Sequence, residues 1–296
     1  MQYFRNVKRP IHIIPIIILL FPFLSKAQLI SKTELQPHTN DSIAVYEISY
    51  TSDSLKIKGF VVEPLNNKEK LPVVIFNRGG NRSFKMIDST TLAQWIKPIA
   101  KAGYVVVASQ YRGSKGSEGF DEIGGKDVDD VLNLIPVLSE LPECDTTRVG
   151  MYGWSRGGIM TYLALAKTNK IKAAVIGGAP SDMFGLMEQR PKLEDIYRET
   201  VPNYDSNRNE ELKKRSAVYW ADQIARNTPV LIIHGKKDKR VNYDQAQQLS
   251  NKFIQLSHIH RLVLFDADHI ISEDRARKDK EVLEWLDKYL KPSAKP

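Results

Sequence analysis

The stretch Met151–Gly158, MYGWSRGG, places a serine between two glycines directly after a short strand-like run. A G-x-S-x-G motif is catalytic only where a strand enters it and a helix leaves it, because a sharp turn must expose the hydroxyl and flanking side chains would block that turn. Residues 148–153 are typical of a short strand, and residues 157–167 carry apolar side chains at helical spacing. We therefore predict that Ser155 is a nucleophile at the start of a helix.

Strands alternate with helices on both sides of this motif. Buried, apolar strands are expected at 71–77, 104–109, 171–178, 228–235 and 260–266, and helices at 92–100, 127–138, 244–255 and 273–290. Residues 44–51 and 55–64 alternate polar and apolar, which favours an antiparallel edge pair. The order predicts an α/β fold with a mostly parallel central sheet and helices on both faces.

Residues 182–226 interrupt the alternation with two helical pieces between strands. In a parallel sheet such an insertion lies above the carboxyl ends of the strands, where ligands bind. We expect a small helical lid, with Phe184, Tyr197 and Tyr204 as candidates for the wall of a substrate pocket. Tyr219 and Trp220 are expected to pack the lid on the sheet.

Two further loops at the same sheet edge carry the partners that a serine nucleophile needs. Asp238 follows the strand at 228–235, and His269 follows the strand at 260–266. A histidine must take the serine proton, and a carboxylate must fix the tautomer of that histidine. The chain order serine, aspartate, histidine is the order found in hydrolases built on a strand-turn-helix nucleophile.

Other residues compete for these roles. Asp266 and Asp268 are alternative acids, but a carboxylate two or three residues away reaches the ring of His269 poorly while that ring faces Ser155. His234 ends a buried strand and is expected to be packed or bonded to a turn rather than to act as a base.

Acyl transfer also needs two N–H donors for the developing oxyanion. The N–H of Arg156, the residue after the nucleophile, is one candidate. The sequence NRGGN at 77–81 directly follows a central strand, so the N–H of Gly79 or of Gly80 is the other. The sequence leaves the choice between these two glycines open.

Three blocks, at 110–132, 149–158 and 228–249, resemble the catalytic domain of the prolyl oligopeptidase (S9) family of serine peptidases, and the resemblance covers about residues 55–290. It implies the α/β-hydrolase fold, a triad of Ser155, Asp238 and His269, peptide cleavage through an acyl-enzyme, and no cofactor. Arg78 and Asn81 stand where the family usually has the histidine and proline of a His-Gly-Gly-Pro-like loop. Alanine and aspartate precede His269, where the family more often has glycine.

Members of this family usually carry a β-propeller before the catalytic domain. Here about 45 residues separate the expected start of the mature chain from the first central strand, so we expect no propeller. Without its substrate anchors, we expect turnover of short acyl esters and of small peptides. A carboxylesterase with no peptidase role and a non-catalytic binding protein on the same fold remain alternatives.

The amino terminus is typical of a secretory signal peptide. Basic residues precede an apolar run of about a dozen residues, and the small residues Ser25 and Ala27 precede an expected cleavage before Gln28. A retained membrane anchor is the alternative, but the run is shorter than the ~18 residues of a span and contains Pro15 and Pro22. We expect residues 1–27 to be removed, residues 28–296 to form one catalytic domain, and the protein to be periplasmic or extracellular, with no stable membrane span.

The net charge and the cysteine content limit the kinds of partner and the kinds of site that the protein is expected to have. The formal net charge is +8, and part of this excess lies in the leader at Arg5, Lys8, Arg9 and Lys26. The remaining basic residues are interspersed with acids, as on solvated surfaces, so no nucleic-acid partner is expected. Cys144 is the single cysteine, which excludes an internal disulfide, and no Cys/His spacing indicates a metal site. The expected partner is a small peptide or acyl ester, and the sequence does not predict an oligomeric state.

Overall fold

The computed structural model describes residues 27–35 and 42–291. Their strands form one nine-stranded sheet in the order β1-β2-β3-β5-β4-β6-β7-β8-β9. The strands are β1 Leu29–Glu34, β2 Ile43–Ser52, β3 Leu55–Pro64, β4 Leu71–Asn77, β5 Val105–Ser109, β6 Cys144–Trp154, β7 Ile171–Gly177, β8 Val230–Gly235 and β9 His260–Phe265.

The sheet is antiparallel at its amino-terminal side and parallel elsewhere. β1, β2, β3 and β5 pair antiparallel in that order, whereas β5, β4, β6, β7, β8 and β9 pair parallel. Apart from β9 at the edge, whose residues are mostly half-buried, the parallel strands are largely buried and rich in Val, Ile and Ala, because helices cover both sides of the sheet. Their carboxyl ends therefore meet at one edge.

Helices and helical turns fill the connections. They are α1 Ser89–Thr91, a π-helical turn Leu92–Ile96, α2 Lys97–Lys101, α3 Asp127–Leu132, α4 Leu134–Val137, a 3₁₀ turn Leu138–Glu140, α5 Arg156–Lys167, α6 Met183–Gln189, α7 Leu193–Thr200, α8 Tyr204–Lys214, 3₁₀ turns Ala217–Tyr219 and Ala221–Gln223, α9 Asp244–Gln255 and α10 Arg275–Leu290.

Prolines divide two of the expected helices. Pro136 has no N–H to donate to the carbonyl of Leu132, and the predicted helix at 127–138 breaks at Asn133 into α3 and α4. Pro98 likewise cannot bond the carbonyl of Gln94, and the guanidinium of Arg275 takes that carbonyl instead. The turn before Pro98 is π-helical rather than α-helical.

The insertion at 182–226 consists of α6, α7, α8 and the two 3₁₀ turns that follow. Its apolar side chains form a separate cluster with Ile123, Ile159 and Val241 from the body of the domain. Expected as two helical pieces, the insertion is more broken because its last part continues as short 3₁₀ turns after Lys214. The cluster fixes the insertion above the carboxyl ends of the strands.

The predicted fold class is confirmed: the sheet is mostly parallel, helices cover both faces, and a small helical lid is inserted. One strand was not predicted. β1 pairs with β2 and takes the edge position that was expected for the 44–51 segment. Its sequence, LISKTE, has only two residues that are even half-buried, so little apolar periodicity marks it.

The expected signal peptide lies outside the described residues, apart from Ala27. In residues 27–35 and 42–291, no helix is long and apolar enough to cross a membrane.

Candidate active site

Ser155 lies at the sharp turn between β6 and α5. Its backbone has φ 57° and ψ −124°, a conformation that non-glycine residues rarely adopt and that costs on the order of 1–3 kcal/mol. Its N–H donates to the carbonyl of Gly177 at 2.8 Å, which ties the turn to the neighbouring strand. The fold thus holds this hydroxyl in a strained position at the edge of the sheet.

The two glycines of the motif are there because nothing larger fits. A Cβ on Gly153 would lie 2.2 Å from the carbonyl oxygen of Gly157. A Cβ on Gly157 would lie 1.9 Å from the carbonyl oxygen of Asn77 at the end of β4. Any side chain at either position would force the strand and the helix apart, so the spacing of the motif follows from the packing of this turn.

Asp238 and His269 lie together at the ends of β8 and β9. The Nδ1 atom of His269 is 2.7 Å from Oδ2 of Asp238, and both side chains are buried. The other oxygen, Oδ1, accepts the N–H groups of Arg240 at 2.7 Å and of Val241 at 3.1 Å. The carboxylate is thus fixed by its own loop and holds the imidazole ring by one nitrogen.

The environment keeps Asp238 ionised. Burial by itself would raise the pKa of this carboxyl, but hydrogen bonding to His234 and His269 and the N–H of Arg240 hold the pKa well below its usual range. A permanently charged acceptor favours the His269 tautomer that carries a proton on Nδ1. In that tautomer Nε2 is free to accept a proton.

The backbone of His269 is tied to the serine turn. The indole N–H of Trp154, the residue before Ser155, donates to the carbonyl of His269 at 3.0 Å. Ser155 and His269 line the same cleft. The loop of His269 and the turn at Ser155 are therefore held in one arrangement by a buried hydrogen bond.

The competing residues lie elsewhere. Asp266 is exposed and pairs with Lys237 at 2.9 Å, while Asp268 uses its oxygens to accept the N–H groups of Ile270 and Ser272. His234 is fully buried, with Nε2 3.0 Å from the carbonyl of Val241 and 3.1 Å from Oδ2 of Asp238. The prediction that His234 bonds a turn agrees with this placement.

The loop after β4 carries Gly79 and Gly80 against the serine turn. A Cβ on Gly79 would lie 3.2 Å from the carbonyl oxygen of Trp154 and 3.4 Å from Cβ of Ser155. Arg156 opens α5, where the first N–H groups of a helix have no partner within the helix. The N–H groups predicted for the oxyanion thus lie on two segments that meet beside Ser155.

Two buried arginine side chains hold this loop. Arg156 donates to both oxygens of Asp121, to Asp127, and to the carbonyl of Gly80 at 3.0 Å. Arg78 donates to the carbonyls of Gln110, Gly79, Phe84 and Arg82 and to the hydroxyl of Ser114. The ring of Tyr111 lies under both guanidinium groups, at 4.9 Å from Arg78 and 5.2 Å from Arg156.

The charges of this cluster are compensated unequally. Burial and the nearby charge of Arg156 together lower the pKa of Arg78 to about 10, and no carboxylate contacts Arg78 to offset them. Burial would raise the pKa of Asp121, but the Arg156 guanidinium brings it below its ordinary value. Arg156 forms an ion-paired group with its two carboxylates, whereas Arg78 keeps its charge among carbonyl oxygens and the hydroxyl of Ser114.

The cleft in front of Ser155 has a volume of about 550 Å³, which is the size of a small-molecule site. Trp95, Trp154 and Phe76 line it from the body of the domain, and the lid contributes Leu186, Leu193, Ile196 and Tyr197.

Of the predicted pocket residues, Tyr197 lines the cleft. Tyr204 is buried behind it and donates to Glu194 at 2.6 Å, and Phe184 packs on Tyr219. Phe184 and Tyr204 are not among the lining residues.

The sequence analysis missed the side chains that hold the loop of Gly79 and Gly80. Asp121 and Asp127 lie within the glycine-rich block at 110–132 that carries the family resemblance, and this was the available signal. The sequence analysis considered only the backbone N–H of Arg156. No sequence pattern indicated that its side chain would pair with Asp121 and Asp127. In the part of the chain that the structure describes, no three His, Cys, Asp or Glu side chains are grouped to hold a metal ion.

Comparison with known proteins matches residues 90–293 to the prolyl oligopeptidase family model. The chain is also 30% identical over 221 residues to an uncharacterized peptidase, YtmA, of Bacillus subtilis, a match that covers 74% of this chain and 83% of that protein. The chain belongs to the prolyl oligopeptidase family. It is a serine hydrolase with the α/β-hydrolase fold.

Solved structures share the fold. An acylaminoacyl peptidase of Pyrococcus horikoshii superposes with a TM-score of 0.71 at 22% identity, over 87% of this chain and 43% of that one. An acetyl xylan esterase from Paenibacillus sp. R4 gives a TM-score of 0.69 at 18% identity, over 89% of each chain. The chain thus spans less than half of the peptidase and most of the esterase.

Proposed function

We propose that this protein is an exported serine hydrolase that cleaves small peptides or acyl esters through an acyl-enzyme formed on Ser155. The contact of 2.7 Å between Nδ1 of His269 and Asp238 carries the proposal, because it leaves Nε2 of the ring for the serine hydroxyl. The strained backbone of Ser155 and its position in the same cleft support it.

The first step forms the acyl-enzyme. Oγ of Ser155 attacks the substrate carbonyl while Nε2 of His269 takes the hydroxyl proton, and Asp238 stabilises the imidazolium that results. The backbone N–H of Arg156 and that of Gly79 or Gly80 receive the oxyanion. The imidazolium then returns its proton to the leaving amine or alcohol as the bond to the acyl carbon breaks.

The second step releases the acid. Water enters the cleft and loses a proton to Nε2 of His269 as its oxygen attacks the acyl carbon. The ester bond to Ser155 breaks, and the proton returns to the serine oxygen. Peptides and esters follow the same two steps, and an ester needs less precise positioning because its leaving group departs more easily.

The test is Ser155→Ala. We expect short-chain p-nitrophenyl ester turnover to fall by roughly 10⁴-fold to 10⁶-fold and fluorophosphonate labelling to disappear, while the circular dichroism spectrum is unchanged. Ser83→Ala, at an exposed serine beside the same loop, is the matched control. An active, labelled Ser155→Ala protein would refute the mechanism, and a panel of peptide amides and acyl esters would separate the peptidase from the carboxylesterase.

Export rests on the leader sequence described above. Cleavage before Gln28 would leave β1, which begins at Leu29, complete. We expect the mature chain recovered from the periplasm or medium to begin at or near Gln28 by mass spectrometry. Recovery of a chain that still begins at Met1 would contradict export with cleavage.

A further inference from the structure

The arginines of the described residues divide into those with a carboxylate partner and a few without. Exposed arginines such as Arg82, Arg198 and Arg261 pair with glutamate or aspartate. Within residues 27–35 and 42–291, four have no carboxylate within ion-pair distance: Arg78, Arg190, Arg226 and Arg240. Arg78 is buried and satisfied by carbonyls, and Arg226 lies outside the cleft. Arg190 and Arg240 line the cleft and are exposed to solvent.

Both of these arginines are carried on fixed backbone. The N–H of Arg240 donates to Oδ1 of Asp238 at 2.7 Å, so its position is set by the carboxylate that also holds His269. The N–H of Arg190 donates to the carbonyl of Leu186 at 2.9 Å, at the end of α6. The two segments are joined, because Oε1 of Gln189 accepts the N–H of Asn242 at 3.0 Å.

The other charged residues that line the cleft leave it with an excess of positive charge. Lys85 also lines the cleft, on the loop that carries Gly79 and Gly80, and it has no ion-pair partner among the described residues. Asp88 is the single carboxylate among the lining residues, and its Oδ1 already accepts the N–H of Thr91 at 2.7 Å. Apart from the paired or carbonyl-bonded Arg78 and Arg156, the cleft therefore presents three cations and one carboxylate.

From this arrangement we propose that Arg190 and Arg240 bind a carboxylate of the substrate. Guanidinium groups suit a carboxylate because they donate two parallel hydrogen bonds to it. The inference deepens the proposed function and rests on it in that the bound molecule is the one cleaved at Ser155. The substrate is a short peptide with either a free carboxyl terminus or an acidic side chain.

The same charges disfavour a substrate held by its free amino terminus. Asp88, the one carboxylate among the lining residues, is outnumbered there by three cations and already accepts the N–H of Thr91. A free ammonium would also be repelled by Arg190, Arg240 and Lys85.

The experiment measures binding without turnover. Isothermal titration calorimetry on Ser155→Ala protein compares acetyl-Ala-Ala-Ala with its carboxyl-terminal amide, and acetyl-Glu-Ala-Ala amide with acetyl-Gln-Ala-Ala amide. We expect the charged member of one pair to bind about tenfold more tightly than its neutral partner at low ionic strength, with the preference reduced by salt. The pair that shows the preference identifies the source of the carboxylate.

Two variants assign the effect to the residues. In Ser155→Ala protein that also carries Arg190→Gln and Arg240→Gln, we expect the preference to fall to about twofold or less. Arg226→Gln in the same background removes an exposed, unpaired arginine outside the cleft and should keep the full preference. Equal affinity within both pairs, or a preference that persists in the double arginine variant, would overturn the proposal.

The outcome is separable from that of the proposed function. Ester turnover and fluorophosphonate labelling of the unaltered protein test the nucleophile alone and involve no carboxylate. If labelling fails while the charged peptide binds more tightly, the catalytic proposal is wrong and the carboxylate site stands. If labelling succeeds and both pairs bind equally, the reverse holds.

Discussion

The two sides of Ser155 are held in different ways. On the acid–base side, Asp238 is fixed by N–H groups two and three residues away, and Asp268 fixes the His269 loop in the same short-range manner. On the oxyanion side, the loop at 78–84 is held by side chains from distant parts of the sequence. The acid–base side is built mainly from local turns, with one long-range bond from Trp154 to the carbonyl of His269, whereas the oxyanion side depends on a buried charged cluster.

Because the two sides are held differently, substitutions should affect them differently. A local turn tolerates changes elsewhere in the protein, because its hydrogen bonds form within one loop. A buried cluster that joins 78, 121, 127 and 156 fails as a unit, since removing one charge leaves another uncompensated. Substitutions on the acid–base side should therefore lower activity first, and those on the oxyanion side should lower stability first.

The largest expected effect is on the acid–base side. Asp238→Asn should lower kcat by about 10⁴-fold while leaving the fold intact, because the amide holds the wrong tautomer of His269. Steady-state kinetics on a p-nitrophenyl ester measure this. Asp268→Asn, which alters a turn beside the same histidine, is the control and should cost tenfold or less. If Asp268→Asn proves the more damaging, the acid is wrongly assigned.

The next effect concerns the ion-paired part of the cluster. Arg156→Met leaves the buried carboxylates of Asp121 and Asp127 without their partner, which should lower the free energy of unfolding by about 3–5 kcal/mol. Urea denaturation measures this, and Arg226→Met should change stability by less than about 0.5 kcal/mol. Adding Asp121→Asn and Asp127→Asn to Arg156→Met should restore part of the loss. A stable Arg156→Met protein would show that the two sides do not differ as described.

A smaller effect is expected at Arg78, which contacts carbonyls rather than carboxylates. Arg78→Met releases the carbonyls of Gln110, Gly79 and Arg82 and should loosen the loop that presents Gly79 and Gly80. Complete loss of an oxyanion donor costs about 10²-fold to 10³-fold, so we expect kcat to fall about tenfold with KM nearly unchanged. A rise in KM at constant kcat would instead indicate a role in binding.

The smallest effect is a dependence of stability on pH. The pKa of Asp238 is lower in the folded protein than the value near 3.9 of an unfolded chain, so its contribution to stability is complete above about pH 4 and is lost as the pH falls towards the folded pKa. The difference in unfolding free energy between the unaltered protein and Asp238→Asn should be largest near pH 7 and shrink below pH 4. Asp266→Asn should give a small and constant difference. A gap that widens in acid would contradict the direction of this shift.

The sequence by itself determined the class of fold and the positions that converge on the site. Alternating strands and helices require a parallel sheet, and residues that follow successive parallel strands must meet at one edge, so Ser155, Asp238 and His269 could be placed together before any coordinates. Gly153 and Gly157 were informative for the same reason, since the turn around Ser155 has no room for a side chain. These constraints come from the order of strands and helices and from one tight turn, so they can be inferred from the sequence pattern.

Only the tertiary structure decided which side chains hold the oxyanion loop and which charges face the cleft. This cluster joins three segments that are far apart in sequence, at Arg78, at Asp121 and Asp127, and at Arg156. Nothing in the local pattern distinguishes a buried, ion-paired arginine from an exposed one. The same applies to Arg190 and Arg240, whose lack of partners depends on where every carboxylate of the domain lies. Burial and pairing are properties of the packed chain, because they are set by contacts between segments and not by the residues within one.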